Sequence, residues 1–378
     1  MNDSNIIRVG IVGCGGMGGG HAIALHSGTG NAIWNVETGT VDPFDSELTT
    51  DIRGLLELAG TYDIKEERQE WARSFGIHTY QSYEEMLADP TIDAILVATP
   101  NHLHKEQSIA ALRAGKHVLC EKPAMISSKD LEEVVSIAKE CGKVFYPRQN
   151  REWDEDFLII RKIYDEKLIG DVFNVKCRIM GSRGIPGDWR GIKACGGGMM
   201  LDWGVHIIDR MLIMNTSRVS RLYCHMTHIT NAECDDGFQL TLQFEDGMSC
   251  NLEVGTCHFV NEPLWCMYGD KGSCEILDWD LNGRMVRLRS WEDKDVTPIV
   301  AGAGLTKTMA PRKEGESTEE LPLPRFDFDR NALYRNFAET CRGTAAQIVT
   351  NEHVLRVLKL MEAAFVSDAT GDAVYFEK

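Results

Sequence analysis

A chain of 378 residues with 57 acidic and 40 basic side chains carries a formal net charge of −17. The length predicts two domains, each large enough to bury a core, while Lys and Arg scattered among more numerous carboxylates exclude the basic patch that a phosphate backbone requires. No apolar run reaches the roughly 18 residues of a membrane span.

The start of the chain, Met1 to Asn5, lacks the basic and apolar stretches of a signal peptide. Twelve dispersed cysteines without a CxxC pair fit reduced thiols better than a disulfide framework, so a cytoplasmic protein is expected.

In chain order, Arg8 to Val12 is a short apolar run rich in β-branched residues and predicts a strand. It leads into Gly13-Cys14-Gly15-Gly16-Met17-Gly18, a match to GxGxxG, and Gly19 to His26 continues as a helix. This order suits a dinucleotide pyrophosphate. Glycines admit a tight turn and close backbone approach, and the helix N-terminus offers unpaired N–H groups. The acid expected about 20 residues later, to hold the adenosine ribose, is absent at that distance. Asp63 stands in its place, 45 residues beyond Gly18, after the Leu55 to Tyr62 segment. It meets the ribose, with Ile64 and Arg68 beside it, or caps a helix over Ile64 to Phe75, and both roles can coexist. In the first role it favours NAD over NADP by repelling a 2′-phosphate. The polar stretch of about 27–53 reads as an insertion forming a loop near the cofactor mouth.

Ile92 to Pro100 predicts a further strand and turn, Lys105 to Ala114 a helix, and Lys116 to Cys120 a strand followed by Glu121-Lys122-Pro123. Ligands of open α/β sheets bind outside the carboxyl ends of the strands, which is where 99–104 and 121–123 fall. A helix over Ser128 to Cys141 and a strand over Val144 to Tyr146 complete a doubly wound parallel Rossmann unit, assigned to residues 1–147.

After a helix from Phe157 to Ile169 the period changes to two, with Phe173, Val175, Cys177 and Ile179 alternating with polar residues. Phe238 to Phe244 and Met248 to Val254 form a hairpin around Asp246-Gly247. Strands near 265–268, 274–277 and 285–289 extend a large, mainly antiparallel open sheet in an α+β domain of residues 148–378. The face carrying Gln239, Thr241, Gln243 and Asn251 is either solvated or an oligomer interface. Residues 301–324 read as a loop or arm, and helices are expected over Asn331 to Arg342 and Glu352 to Ala369, the second returning to the first domain.

The chain resembles the Gfo/Idh/MocA family of NAD(P)-dependent oxidoreductases. The resemblance rests on Gly13 to Gly18, Thr99-Pro100-Asn101-His102-Leu103-His104, Glu121-Lys122-Pro123, Asn150-Arg151, the Gly196 to Asp209 segment, and Met361 to Gly371. It implies NAD as cofactor, held by Gly13, Gly15, Gly16, Met17, Gly18, Asp63, Ile64, Arg68, Thr99, Pro100, Asn101, His104, Glu121, Lys122, Asn150, Trp189 and Arg190. It also implies a homo-oligomer joined through the open sheet. Lys122 matches the family lysine that hydrogen-bonds the reacting hydroxyl. Asp202 and His206, four residues apart, share a helical face. An imidazole suits removal of an alcohol proton, and a carboxylate can orient it.

A polyol pocket needs several polar groups, and Lys122, Arg148, Asn150, Arg151, Asp188, Trp189, Asp202 and His206 are the candidates. Trp189 either stacks on a sugar or packs beneath its own loop. His102 with His104, Cys195, or Asp202 with His206 could start a metal site, but no third ligand stands at a metal-like spacing and none is expected. The long insertion and the acidic, cysteine-rich composition are similar to those of gut-bacterial glycoside 3-oxidoreductases, which oxidise the glucose 3-hydroxyl of plant glucosides, C-glucosides included. Three alternatives compete: a redox-assisted, NAD-dependent glycosidase on this scaffold, an inositol or monosaccharide dehydrogenase, and an NAD-sensing regulator.

Overall fold

A computed structural model describes residues 6–28, 33–35, 40–42, 52–290, 312, 317–327, 329 and 331–377. Strand β1 (Ile7–Val12) is buried over its last four residues, the pattern of a strand covered on both faces. Helix α1 (Gly16–Ser27) follows directly. Five glycines in or beside its first turn give it little intrinsic helicity, so packing holds it. A Cβ on Gly18 would stand 1.8 Å from the Gly13 carbonyl oxygen, and Gly13 itself has φ +87. Only glycine lets helix and strand approach this closely.

Within the expected insertion, β2 (Ile33–Asn35) and β3 (Thr40–Asp42) pair as a short hairpin, and its other residues from 29 to 51 lie outside those described. The chain continues through β4 (Leu56–Tyr62), α2 (Glu66–Ser74), α3 (Tyr83–Ala88), β5 (Ala94–Val97), α4 (His104–Arg113), β6 (His117–Cys120), α5 (Ser128–Glu140) and β7 (Phe145–Pro147). The sheet order is β4-β1-β5-β6-β7 and every pairing is parallel. Its order reverses at β1, so the glycine turn opens at the switch point.

The second half comprises α6 (Glu155–Asp165), β8 (Val172–Met180), α7 (Val205–Met214), β9 (Val219–Thr227), β10 (Gly237–Phe244), β11 (Ser249–Gly255), β12 (Trp265–Gly269), β13 (Gly272–Ile276), β14 (Gly283–Leu288), β15 (Thr318–Leu321), α8 (Ala332–Cys341), α9 (Asn351–Thr370) and β16 (Val374–Tyr375). Nine strands run in the order β15-β14-β13-β12-β8-β11-β10-β9-β16. Only the central pair, β8 with β11, is parallel among these strands. Val175, Cys177, Leu240, Leu242, Cys250 and Leu252 point inward and are buried, while Gln239 and Thr241 on the other face are exposed.

Three details depart from the sequence reading. Helix α6 stops at Asp165 because Lys167 turns into the left-handed region at φ +52, four residues short of the expected end. Phe173 lies at the start of β8 and is exposed, although its parity places it with the inward residues. The expected 301–324 arm ends as an edge strand, β15, paired with β14, while its residues 301–311 and 313–316 lie outside those described. Helix α9 packs against β9, α7 and α5, bridging the two halves. Among the described residues, no helix is long and apolar enough to cross a membrane.

Candidate active site

The site assembles at the carboxyl ends of the parallel strands. After β1, the N-terminus of α1 is capped by no side chain, and a Cβ on Gly15 would meet nothing within 4 Å. The result is an open concavity facing free backbone N–H groups, which is what a pyrophosphate needs. Met17 is half exposed at its rim. Asp63 leaves β4 beside it: its Oδ2 accepts the Cys14 N–H at 2.7 Å and its Oδ1 the Lys65 N–H at 2.9 Å. Helix α2 begins later than the sequence suggested, with Lys65 as its N-cap. Ile64 is 84% exposed next to Asp63, an apolar surface at the edge of the concavity. Arg68 makes a loose ion pair with Glu67, at 3.9 Å. These residues fit a bound dinucleotide.

After β5, the 99–104 turn is cross-braced. His104 bridges the carbonyl oxygens of Thr99 (2.8 Å) and Pro123 (2.9 Å), and full burial lowers its pKa. The Thr99 hydroxyl donates to Gln107 Oε1, and the Pro100 carbonyl accepts the Leu103 N–H. Asn101 Nδ2 donates to the Gly196 carbonyl at 2.7 Å, tying this turn to the second half.

Beneath Lys122 lies a buried ionic cluster. Glu121 accepts from Arg148 at 2.9 Å and from His21 at 2.7 Å, and His21 also contacts the Tyr334 hydroxyl. Burial alone would raise the Glu121 pKa, but Arg148 and His21 outweigh it and hold the carboxyl well below its ordinary range. Arg148, a candidate substrate contact from sequence, is therefore enclosed against Glu121 and the Tyr334 ring. The sequence reading missed both His21 and Tyr334, because they come from α1 and α8.

Glycines shape the opposite wall. A Cβ on Gly197 would lie 2.2 Å from the Arg190 carbonyl, and one on Gly198 2.1 Å from Asp235 Oδ1. Their absence lets the 188–192 loop lie against the start of a wide π turn, Met200–Gly204, which precedes α7. Such turns re-aim side chains at functional sites. Asp235 anchors this one, accepting the Met200 N–H through Oδ2 at 2.7 Å and the Met199 N–H through its carbonyl at 3.0 Å, and burial pushes its pKa up to about 7.

The π turn presents Asp202 to Lys122. Lys122 Nζ donates to Asp202 Oδ1 at 2.7 Å and to the Asp202 carbonyl at 2.9 Å. Arg190 Nε approaches Asp202 Oδ2 at 3.5 Å while its NH1 holds Asp188 at 2.7 Å. Burial opposes the charge on Asp202, yet Lys122 and Arg190 hold its pKa below the ordinary value. His206, one turn on, is buried, and among the described residues its Nδ1 has no hydrogen-bond partner. Burial first, then Lys122 and Arg151, drive its pKa well below 6.5, so the ring is neutral at pH 7. The carboxylate of Asp202 thus engages the two cations, where the sequence reading had it orient the His206 imidazole.

Trp189 lies half-buried under the Arg190 guanidinium, 4.7 Å from its ring centre, and Asp188 is exposed. Asn150 precedes a short turn at Arg151–Trp153. Arg151 pairs with Asp154 at 2.8 Å and covers the Trp203 ring at 4.6 Å. Trp203 and Trp279 escaped the sequence reading; their rings lie 6.1 Å apart, and Trp203 meets the His206 ring at 5.9 Å. Together with Arg151 and Met199 they line a cavity of about 390 Å³. Among the described residues, no three His, Cys, Asp or Glu side chains are grouped to hold a metal ion.

Comparison with known proteins agrees with this construction. The Gfo/Idh/MocA "Oxidoreductase family, NAD-binding Rossmann fold" matches residues 7–149, and the Gfo/Idh/MocA C-terminal domain matches 157–275. The chain is 32% identical to the 1,5-anhydro-D-fructose reductase of Ensifer adhaerens, over 78% of this chain and 83% of that protein. It is 28% identical to scyllo-inositol 2-dehydrogenase (NADP(+)) IolW of Bacillus subtilis (strain 168), over 85% and 91%. The crystal structure of an NAD-binding protein from Listeria innocua superposes with a TM-score of 0.87 at 41% identity, covering 98% of this chain and 100% of that one. With its NAD(P)-binding Rossmann domain and its large second sheet, the chain belongs to the Gfo/Idh/MocA family of oxidoreductases, which act on sugar-like substrates.

Proposed function

We propose that the protein is an NAD-dependent oxidoreductase that oxidises a secondary hydroxyl of a sugar ring, with the glucose 3-hydroxyl of a glycoside as its target and a 3-oxo-glucoside as its product. The observation that carries this reading is the pairing of Lys122 with Asp202 beside a neutral His206, at the strand ends where the glycine turn opens. Lys122 Nζ donates to the substrate oxygen and favours negative charge developing there. Asp202, approached on its other oxygen by Arg190, fixes the position of that ammonium group. His206, neutral when unliganded, takes the hydroxyl proton as the C–H bond breaks. When bound, the nicotinamide supplies the hydride acceptor. Asp188, Trp189, Asn150 and Arg151 surround the sugar, and Asp63 opposes a 2′-phosphate and so selects NAD. The open face of the second sheet, with Tyr223 and Gln239 exposed, is the surface through which two copies pair.

The test is incubation of the purified protein and NAD with a panel of glycosides, inositols and free sugars, followed by cofactor absorbance and product mass. Loss of two mass units from an intact glycoside is the expected result. Release of the aglycone would indicate a redox-assisted glycosidase, oxidation confined to inositols or free sugars a simple dehydrogenase, and spectral silence with every polyol a sensor.

A further inference from the structure

A second cavity, of about 300 Å³, is walled by α6, α7, the turn at Arg151–Trp153 and the start of α9, and it shares no lining residue with the cavity beside His206. Asp209, three residues beyond His206 on α7, lines it and is only 1% exposed. Its Oδ1 accepts His353 Nε2 at 2.7 Å. Its Oδ2 has no hydrogen-bond partner among the described residues, and neither has Oε1 of Glu152 on the 151–153 turn.

Two carboxyl groups so placed oppose each other's ionisation. Burial first and Asp209 second push the Glu152 pKa up to about 8, against the pull of Arg161. Burial likewise pushes that of Asp209 up, against His353 and Arg210. The cations nearby are engaged elsewhere: Arg161 pairs with Asp165 at 3.3 Å, and Arg210 with Asp154 and Asp156 at 2.8 and 3.0 Å. Thr350 caps α9 by accepting the His353 N–H, so the helix end offers that donor to its own cap. Buried acceptors without donors call for a ligand that donates, and charge-assisted donors satisfy them best. Ile213, Ile348 and Val349 add apolar wall. The volume is far larger than the roughly 30 Å³ of a single water. Among the described residues, no three His, Cys, Asp or Glu side chains are grouped to hold a metal ion.

We propose that this cavity is a binding site for the ammonium group of a small aliphatic amine, with Glu152 and Asp209 accepting its N–H groups and Ile213, Ile348 and Val349 covering its carbon chain. An anion would meet two carboxyl groups, and a neutral alcohol would bring one O–H to two acceptors. An ammonium group brings three donors and the complementary charge. The site is independent of the sugar-oxidising reading, since it uses none of Lys122, Asp202 and His206. On binding, the amine enters as its ammonium ion, the Glu152 carboxyl loses its proton to solvent, and the two charges pair. Affinity therefore rises with pH through the Glu152 titration, while an aliphatic ammonium keeps its proton to about pH 10. Through Asp209 the ligand touches α7, the helix that also carries His206.

Calorimetric titration of the full-length protein with n-butylammonium chloride, n-butanol, sodium butyrate and potassium chloride, at pH 6.5 and pH 8.5, tests the site. Butylammonium should bind the wild type about tenfold more tightly at the higher pH, and more tightly there than the other three probes. Glu152→Gln keeps the shape and removes the charge. It should weaken butylammonium at pH 8.5 by about tenfold and bring the two pH values within about twofold of each other. Asp209→Asn should weaken binding at both pH values; should that variant fail to fold, the pH ratios of wild type and Glu152→Gln decide alone. Equal affinity for butanol or potassium, tighter binding of butyrate, no binding of butylammonium at pH 8.5, or a pH ratio unchanged in Glu152→Gln would overturn the site.

Discussion

Lys122 Nζ and Asp202 Oδ1, eighty positions apart in the chain, meet at 2.7 Å, and the same ammonium also donates to the Asp202 carbonyl at 2.9 Å. One charge is thus held by two acceptors, leaving one N–H for an incoming hydroxyl. Lys122→Ala should lower kcat/KM by about 10³-fold, while the dissociation constant for NAD stays within about threefold of wild type. Stopped-flow turnover and cofactor titration check the two halves. Near-normal turnover would remove Lys122 from the chemistry.

His206 has a pKa pushed well below 6.5, by burial first and then by Lys122, Arg151, Arg210 and Arg148. A base must be neutral to accept a proton, so the acid limb of log kcat/KM set by this ring falls below pH 6.5. Removing one nearby positive charge, as in Arg151→Gln, should move the limb toward higher pH. His206→Asn should lower kcat by about 10²-fold to 10⁴-fold. A limb that keeps its position in Arg151→Gln would dissociate it from His206.

The carboxylate of Asp63 faces the N-terminus of α1 through the Cys14 N–H, close to where a ribose would lie. Asp63→Ala should raise the ratio of kcat/KM for NADP over NAD by about tenfold, a change of about 1.4 kcal/mol. Initial rates with both cofactors decide it.

Burial and the neighbouring Asp209 push the Glu152 pKa up to about 8. A carboxyl that binds its proton more tightly when folded contributes stability below its unfolded pKa near 4.5, and this contribution is lost as pH rises toward the folded value. Thermal unfolding between pH 5 and 9 should show the melting temperature of Glu152→Gln falling less steeply than that of wild type. Parallel curves would place the proton elsewhere.

Glu121 compensates the buried guanidinium of Arg148 at 2.9 Å. Glu121→Ala leaves that charge without its carboxylate and should cost about 3–5 kcal/mol in denaturant unfolding. A loss under about 1 kcal/mol, the size typical of exposed pairs, would show that water reaches the arginine.

Much of this architecture is legible in the chain itself. Continuous apolar runs ending in glycine or Glu-Lys-Pro mark the parallel strands, and a period of two marks the second sheet. Strand β9 was harder to see, since its register with β10 shifts between Gln243 and Phe244. Lys122, Asp202 and His206 stand out because they sit in motifs. Arg148 shows the limit: its position follows β7, but sequence does not say whether the side chain turns to the cleft or to Glu121. Trp279 shows the converse. Nothing local distinguishes it from other tryptophans, and its meaning comes from a hairpin that returns it to Trp203.

Helix α9 is fastened at both ends of this arrangement. Glu362 accepts the N–H and hydroxyl of Ser128 at the start of α5, at 2.7 and 2.8 Å. Farther along, Ser367 and Asp368 accept the N–H groups of Cys224 and Met226 in β9, at 2.9 and 2.7 Å. A wide swing of one half away from the other would break one or the other of these pairs of bonds. The two walls of the cleft therefore keep a near-constant spacing, and ligand exchange falls to the exposed loops at 181–192 and 256–263. A ligand that enters or leaves by moving those loops leaves the four bonds of α9 intact.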